Sequence, residues 1–561
     1  MRRRHRSLAA TALASAPLAC FAFLLASGLG LTSASTVVAR AQSAPPAAAQ
    51  SAERKTASAK TEWLSDPAEA AHIARVETRM PAVAIPNGEP IAMTLAQWME
   101  VYKIPGLSVA VFDKHRIVWA KAYGVKEAGA SAPVTIDTLF QAGSISKPVA
   151  AMAALRHVEA GKWTLDENIN NKLTSWKVPD NELTVTEKVT LRRLLSHSAG
   201  TTVHGFPGYA VTEPQPTVVQ VLNGEKPANT APVRVDLVPG SQWRYSGGGT
   251  TIVQLMMVDQ LKKPFPQIMR EAVIDPLGLT HSTYEQPLPP DRAAQTASGT
   301  YADGKVVEGR WHIYPEMAAA GLWTTASDLA TIAIDVSKSK AGSSNRVLSQ
   351  AMTKQMLTVQ SDQMGLGFAL RKDSDRFGHN GADEGFQAYL TAFADSGRGV
   401  AIMANSDNGS QIFETLAASV AAEYGWTSLP APQVAPFTQV LLLARKKGVE
   451  HALAWYASAR RAGPASDYGF PILNRAAMQL ARLGYPADAV KILTANLEYY
   501  PDLAPAHGSL GEGLLRAGNK AAAIEHFKKA LELDPGNSAL VRKLADLGVP
   551  STPSAAAKPR E

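Results

Sequence analysis

Two pairs of strand-forming runs stand far apart in the chain, and what lies between them is helical. Residues 107–112 are an apolar run rich in β-formers, and after Asp113-Lys114 a second run occupies 117–123. Much later, 386–393 and 399–404 form another pair around Asp395-Ser396-Gly397-Arg398-Gly399. Each pair predicts a β-hairpin. The segments 149–161, 190–195, 252–261 and 326–336 carry helical patterns instead. Strands at both ends with helices between them predict an α+β domain, its terminal hairpins sharing one antiparallel sheet flanked by helices.

Beyond about residue 440 the strand signals stop. Ala452, Ala454, Ala457, Ala476, Ala477, Ala481, Ala487 and Ala489 dominate helical stretches. Residues 504–537 carry Leu510-Gly511, Leu514, Ala523, Phe527, Ala530 and Pro535. Set back by 34, residues 470–503 carry Ala476-Ala477, Leu480, Ala489, Leu493 and Pro501. A period of this length, with small residues at helix crossings, resembles tetratricopeptide repeats. Residues 436–469 read as a degenerate first unit. The expected organisation is an α+β domain over 63–430, an all-α C-terminal helical repeat domain over 436–548 and a disordered tail over 549–561. Such arrays present concave surfaces to peptides, so the repeats are expected to meet a protein partner; dimerisation or plain packing is the alternative.

Composition narrows the class of function. The chain is 46% hydrophobic and 19% charged, which suits a globular protein, and 561 residues exceed one ordinary domain. Arg2, Arg3, Arg4, Arg6 and Arg40 carry five of the seven net positive charges, and residues 1–41 hold no acid. The balance of +2 makes no electrostatic case for nucleic acid. The basic cluster 1–6, the apolar stretch 8–31 and Ala39-Arg40-Ala41 have the layout of a signal peptide cleaved before Gln42. The expected location is secreted or bacterial periplasmic, with membrane attachment only if the leader stays on as an anchor. A flexible linker is expected over 42–62. Cys20 is the one cysteine, so a disulfide within the chain and a cysteine-built zinc site are excluded. No cluster has metal-ligand spacing, and no cofactor is expected.

The chemistry-bearing signal is Gly143-Ser144-Ile145-Ser146-Lys147. Ser144 and Lys147 make S-x-x-K at the start of a helical pattern, and a spacing of three puts both side chains on one face. Serine is a weak nucleophile until a base takes its proton, and desolvation or a nearby cation suits a lysine for that task. Taken alone, the four-residue motif is common, and a serine at a helix start is more often a cap.

With its neighbours the motif resembles the penicillin-recognising serine hydrolases, a superfamily of class C β-lactamases, D,D-carboxypeptidases, D-aminopeptidases and esterases. The segments Leu194-Leu195-Ser196-His197-Ser198-Ala199-Gly200, Pro239-Gly240-Ser241-Gln242-Trp243-Arg244-Tyr245-Ser246, Gly321-Leu322-Trp323 and Gly378-His379-Asn380-Gly381 follow in the family's order. The resemblance spans about 85–425. It implies a β-lactamase/transpeptidase-like fold with Ser144 as acylated nucleophile, Lys147 as its proton partner and Tyr245 sharing the proton transfer. Free lysine and tyrosine both titrate near about 10, so a coupled pair moves a proton more easily than either alone. His379 and Gly381 would line the cleft, and the N–H groups of Ser144 and Ala382 would bind the oxyanion.

Two departures bear on substrate. Gly247 stands where the family often has Asn, and His379 where β-lactamases usually have Lys. Both changes weaken the case for an efficient β-lactamase; H-x-G resembles the esterase and D-aminopeptidase branches more, and the substrate class stays open. Ser406-Asp407-Asn408 spells a class A motif but falls after the third motif, so it is expected only to end a strand. His197 is expected to brace a loop. The leading function is an exported serine hydrolase acting on an ester, amide or β-lactam bond of a small-molecule or peptide substrate. The alternative is a sensor or scaffold without turnover, whose repeats bind a partner.

Overall fold

The computed structural model describes residues 60–549 apart from 373, 465 and 466, and these belong to one compact unit. The expected signal peptide, nearly all of the expected linker and the tail after Val549 lie outside the described residues. Glu62, placed at the end of the linker from sequence, opens a strand instead.

Strands β1 (Glu62–Leu64), β2 (Gly106–Asp113), β3 (Arg116–Gly124), β4 (Ala369–Leu370), β5 (Arg376–Asp383), β6 (Phe386–Phe393) and β7 (Arg398–Ala404) form an antiparallel sheet ordered β1-β3-β2-β7-β6-β5-β4. Both expected hairpins form. The pairs Val400↔Val111, Ile402↔Val109 and Ala404↔Leu107 join them at the sheet centre. Lys114 and His115 turn the first hairpin with φ of 49° and 61°, the paired left-handed conformation that matches strand twist.

Successive strand residues point to opposite faces. On β2, Ala110 and Phe112 enter one core while Leu107, Val109 and Val111 enter the other. Coverage on both faces explains why this strand reads as an apolar run.

Helices α1 (Glu69–Thr78) and α2 (Leu95–Val101) cover the outer face. The inner face carries α3 (Ser146–Glu159), α4 (Leu191–Leu195), α5 (Gly247–Leu261), α6 (Met317–Ala320) and α7 (Ala326–Ala341). Side-chain caps start three of them: Thr190 accepts from the Arg193 N–H, Ser246 from Gly249 and Thr325 from Asp328. Helix α8 (Ser410–Glu423) returns to the outer face.

The C-terminal region is α9 (Pro436–Lys447), α10 (Val449–Ala462), α11 (Phe470–Arg482), α12 (Pro486–Tyr499), α13 (Ala504–Arg516), α14 (Lys520–Leu533) and α15 (Ser538–Asp546). Alternate helices begin at 436, 470, 504 and 538, in equal steps of 34. The small residues do sit at crossings: a β-carbon on Gly511 of α13 would stand 2.6 Å from the Phe527 ring of α14. Sequence patterning separated the repeats from the sheet domain at 436. In the structure Val440, Leu443, Leu473 and Leu480 lie in one continuous core with Trp98, Ile402 and Leu416. Gln439 Nε2 donates to Ala84 O at 2.9 Å, and Trp455 Nε1 to Pro86 O at 3.0 Å. Among the described residues no helix is long and apolar enough to cross a membrane.

Candidate active site

Ser144 does not stand in the α-helix expected from sequence. It occupies a short 3-10 turn, Gly143–Ile145, and α3 begins two residues later. The spacing of three still brings the pair together: Lys147 Nζ donates to Ser144 Oγ at 2.9 Å. Lys147 is 4% exposed, and its Nζ also donates to Ala319 O in α6 at 2.8 Å. Ser146 ties the turn down, donating to Gly143 O at 2.6 Å and accepting from the Leu322 N–H at 3.0 Å.

Strand β5 presses directly on this turn. Gly143 has φ of 50°, and a β-carbon there would lie 2.4 Å from Ala382 N. A β-carbon on Gly381 would lie 1.8 Å from Ala142 O and 3.2 Å from Ser144 N. Two glycines thus let the turn that carries Ser144 and the strand that carries Ala382 touch through their backbones, and the two N–H groups expected to bind an oxyanion lie on these two segments.

Tyr245 faces the pair from the other side. Lys147 Nζ lies 4.9 Å from the centre of its ring, so the lysine meets the ring face and sends its hydrogen bonds to Ser144 and Ala319. Three histidines surround the ring, with centroids at 4.3 Å (His197), 4.9 Å (His204) and 6.0 Å (His379). His197 braces more than a loop. Its O accepts from the Arg244 N–H at 2.8 Å and its Nδ1 from the Ser246 N–H at 3.2 Å, bracketing Tyr245. Burial and the Lys147 charge hold His197 well below the usual histidine range and lower His204 as well. The same two causes bring His379 to about 4. His379 Nδ1 donates to Asn380 O at 2.6 Å, which leaves Nε2 as an acceptor. Ser144, His204, Trp243, Tyr245, His379 and Gly381 line one cleft of 540 Å³.

Residues 91–424, more than half of the chain, match the family described as Beta-lactamase. The chain belongs to the beta-lactamase family. Residues 504–537 match the Tetratricopeptide repeat. Penicillin-binding protein 4 of Amycolatopsis lactamdurans is 26% identical over 371 residues, 61% of this chain and 94% of that protein. A beta-lactamase of Pseudomonas fluorescens is 27% identical, covering 42% of this chain and 61% of that protein. Esterase EstB of Burkholderia gladioli is 26% identical, covering 31% and 45%. The chain therefore spans less than two thirds of the last two relatives.

Within this beta-lactamase-family site, the Gly247 departure lies under the 204–206 loop. A β-carbon there would stand 3.0 Å from the Phe206 ring and 3.1 Å from His204 O, so any side chain at this position requires the loop to give by a few tenths of an ångström.

Sequence reasoning missed several neighbours. His204 gave no signal beyond being a lone histidine. Asp383, next to Ala382, is buried; burial pushes its carboxyl well up, against the pull of Lys147 and the Gly143 N–H. Glu316, just before α6, is 0% exposed, and burial pushes it up to about 7. Among the described residues no group of three or more His, Cys, Asp or Glu is placed to hold a metal ion.

Proposed function

We propose that this protein is an exported serine hydrolase that cleaves neutral esters, or amides of similar size, through an acyl-enzyme on Ser144. The observation that carries the reading is the 2.9 Å contact between Lys147 Nζ and Ser144 Oγ, on the turn that touches the Ala382 strand. With Lys147 as the neutral amine, Ser144 Oγ attacks the substrate carbonyl and passes its proton to Lys147 Nζ, which becomes the ammonium. The carbonyl oxygen takes the negative charge between the Ser144 and Ala382 N–H groups. Collapse breaks the bond to the leaving group, which takes a proton from the Lys147–Tyr245 pair. Water then hydrolyses the acyl-enzyme and restores Ser144.

Two features favour uncharged substrates. His379 offers the cleft a neutral acceptor, where a lysine would offer a cation for a substrate carboxylate. Gly247, crowded by the 204–206 loop, offers no side chain to bind a substrate amide. Trp243, 40% exposed at the cleft, supplies an apolar platform for an acyl or aryl group. Relatives named as penicillin-binding protein, beta-lactamase and esterase span the same range of leaving groups. Export rests on the leader alone, and an N-terminus at Gln42 in secreted material tests it.

The function is tested by turnover of a short-chain nitrophenyl ester and of a chromogenic cephalosporin, with Ser144→Ala beside the wild type. Ester turnover abolished in the variant, with little cephalosporin turnover, supports the reading. Rapid cephalosporin turnover moves the substrate to β-lactams. An inert wild type favours a binding role.

A further inference from the structure

The repeat helices reach the catalytic strand through a corner built around one half-buried carboxylate. Asp407 lies in the corner after β7 and its Oδ1 accepts the Gly385 N–H at 2.8 Å. Gly385 sits in the turn between β5 and β6, three residues after Ala382, with φ of 77°. A β-carbon there would lie 2.7 Å from Gly299 Cα and Thr300 N, so the turn is wedged against a second loop. That loop also holds the corner, since the Asp407 N–H donates to Thr300 O at 3.0 Å and Asn408 Nδ2 to Ala302 O at 2.9 Å.

The repeats join at the same place. Lys103 Nζ donates to Asp303 O at 3.1 Å and lies 4.6 Å from the Tyr485 ring centre, just beyond α11. Gln479 of α11 donates to Gln411 of α8 at 3.1 Å. Burial and the Glu384 carboxylate push Asp407 up to about 6, while the Gly385 and Ala302 N–H groups and the Arg482 guanidinium of α11 pull it down. Tyr485 on Lys103, Lys103 on Asp303, the 299–303 loop on Asp407 and Asp407 on the Gly385 N–H thus form one chain of contacts ending beside the oxyanion strand. Donors to an oxyanion act only if held to within tenths of an ångström.

We propose that Asp407 is a positioning residue for the strand that carries Ala382 and His379, and that the repeat helices, through Tyr485 on Lys103 and the 299–303 loop, hold it in place. The inference rests on the hydrolase reading above. It makes the repeats part of the catalytic structure, beyond any partner they recruit.

The test uses the full chain with Asp407→Ala, Asp407→Asn, Tyr485→Leu and the Asp407→Ala/Tyr485→Leu double variant. Two readouts are taken: ester kinetics, and amide exchange over residues 379–386. Asp407→Ala is expected to lower kcat about tenfold or more with KM within about twofold. Asp407→Asn keeps an acceptor for the Gly385 N–H and is expected to stay within about threefold of wild type. Tyr485→Leu is expected to lower kcat about threefold, with no further loss when added to Asp407→Ala. Exchange is expected to quicken in Asp407→Ala and Tyr485→Leu. Unchanged exchange in both overturns the proposal, and so do independent, multiplying losses in the double variant. If Asp407→Ala does not fold, Tyr485→Leu decides, because wild-type exchange and kcat in that variant overturn the proposal. The exchange readout does not depend on turnover, so an inert wild type counts against the hydrolase reading and leaves the positioning inference to be decided by exchange.

Discussion

Gly381 of β5 lies so close to Ala142 that a β-carbon on it would stand 1.8 Å from the Ala142 carbonyl oxygen. This contact seats the strand on the turn that carries Ser144. Gly381→Ala must push strand and turn apart, and overpacking of this kind costs about 1–3 kcal/mol. A displacement near 1 Å costs up to about 100-fold in rate. Urea unfolding and ester kcat on this variant are expected to show both losses. A wild-type kcat would show that this contact does not set the site.

Gly247→Asn brings the family's usual side chain up against the Phe206 ring. The expected result is a stability loss of about 1–3 kcal/mol and no gain in cephalosporin turnover. Adding Phe206→Ala opens the space and is expected to recover stability. Calorimetry on the single and double variants separates crowding from any other effect of the asparagine.

Glu316 supplies a pH signature. Its carboxyl titrates near 7 in the folded chain, above the unfolded value near 4.5. Between these values the folded state holds the proton more tightly, so this group's contribution to stability falls as pH rises from about 4.5 to 7 and is flat above. The fall amounts to about 3 kcal/mol. Glu316→Gln is expected to remove that slope and to be more stable than wild type above pH 7. Urea midpoints for both proteins across this range check it; parallel curves contradict the assignment.

His379→Lys restores a cation where the structure holds a neutral imidazole. For ester substrates bearing a carboxylate, KM is expected to fall about tenfold, the value of one charge-assisted hydrogen bond. For neutral esters it is expected to stay within about twofold. Kinetics on a matched pair of charged and neutral nitrophenyl esters decides it.

Much of this arrangement was legible in the chain, and the reasons are local. The runs at 107–123 and 386–404 announced their hairpins through β-branched and aromatic residues around polar turns. The pairing of Ser144 with Lys147 follows from a spacing of three, whether the backbone is 3-10 or α. The 34-residue step emerged because each helix crossing needs a small residue.

What stayed hidden depends on residues distant in sequence. Strand β5 has too many glycines and polar residues to look like a strand, and it exists because β6 pairs with its whole length. Gly247 gains its meaning from Phe206, and Asp407 from Gly385 and Thr300. The apolar faces of α9 and α11 were visible, but nothing in their pattern said that the sheet's outer core would cover them.

The most direct test of the central claim is the intact mass of the full-length protein after brief reaction with a fluorophosphonate, followed by peptide mapping. The expected result is one adduct, on the peptide containing Ser144, absent in Ser144→Ala and formed much more slowly in Lys147→Ala. An adduct elsewhere, or labelling of Ser144 at the same rate without Lys147, would contradict the assignment of Ser144 as a nucleophile activated by Lys147.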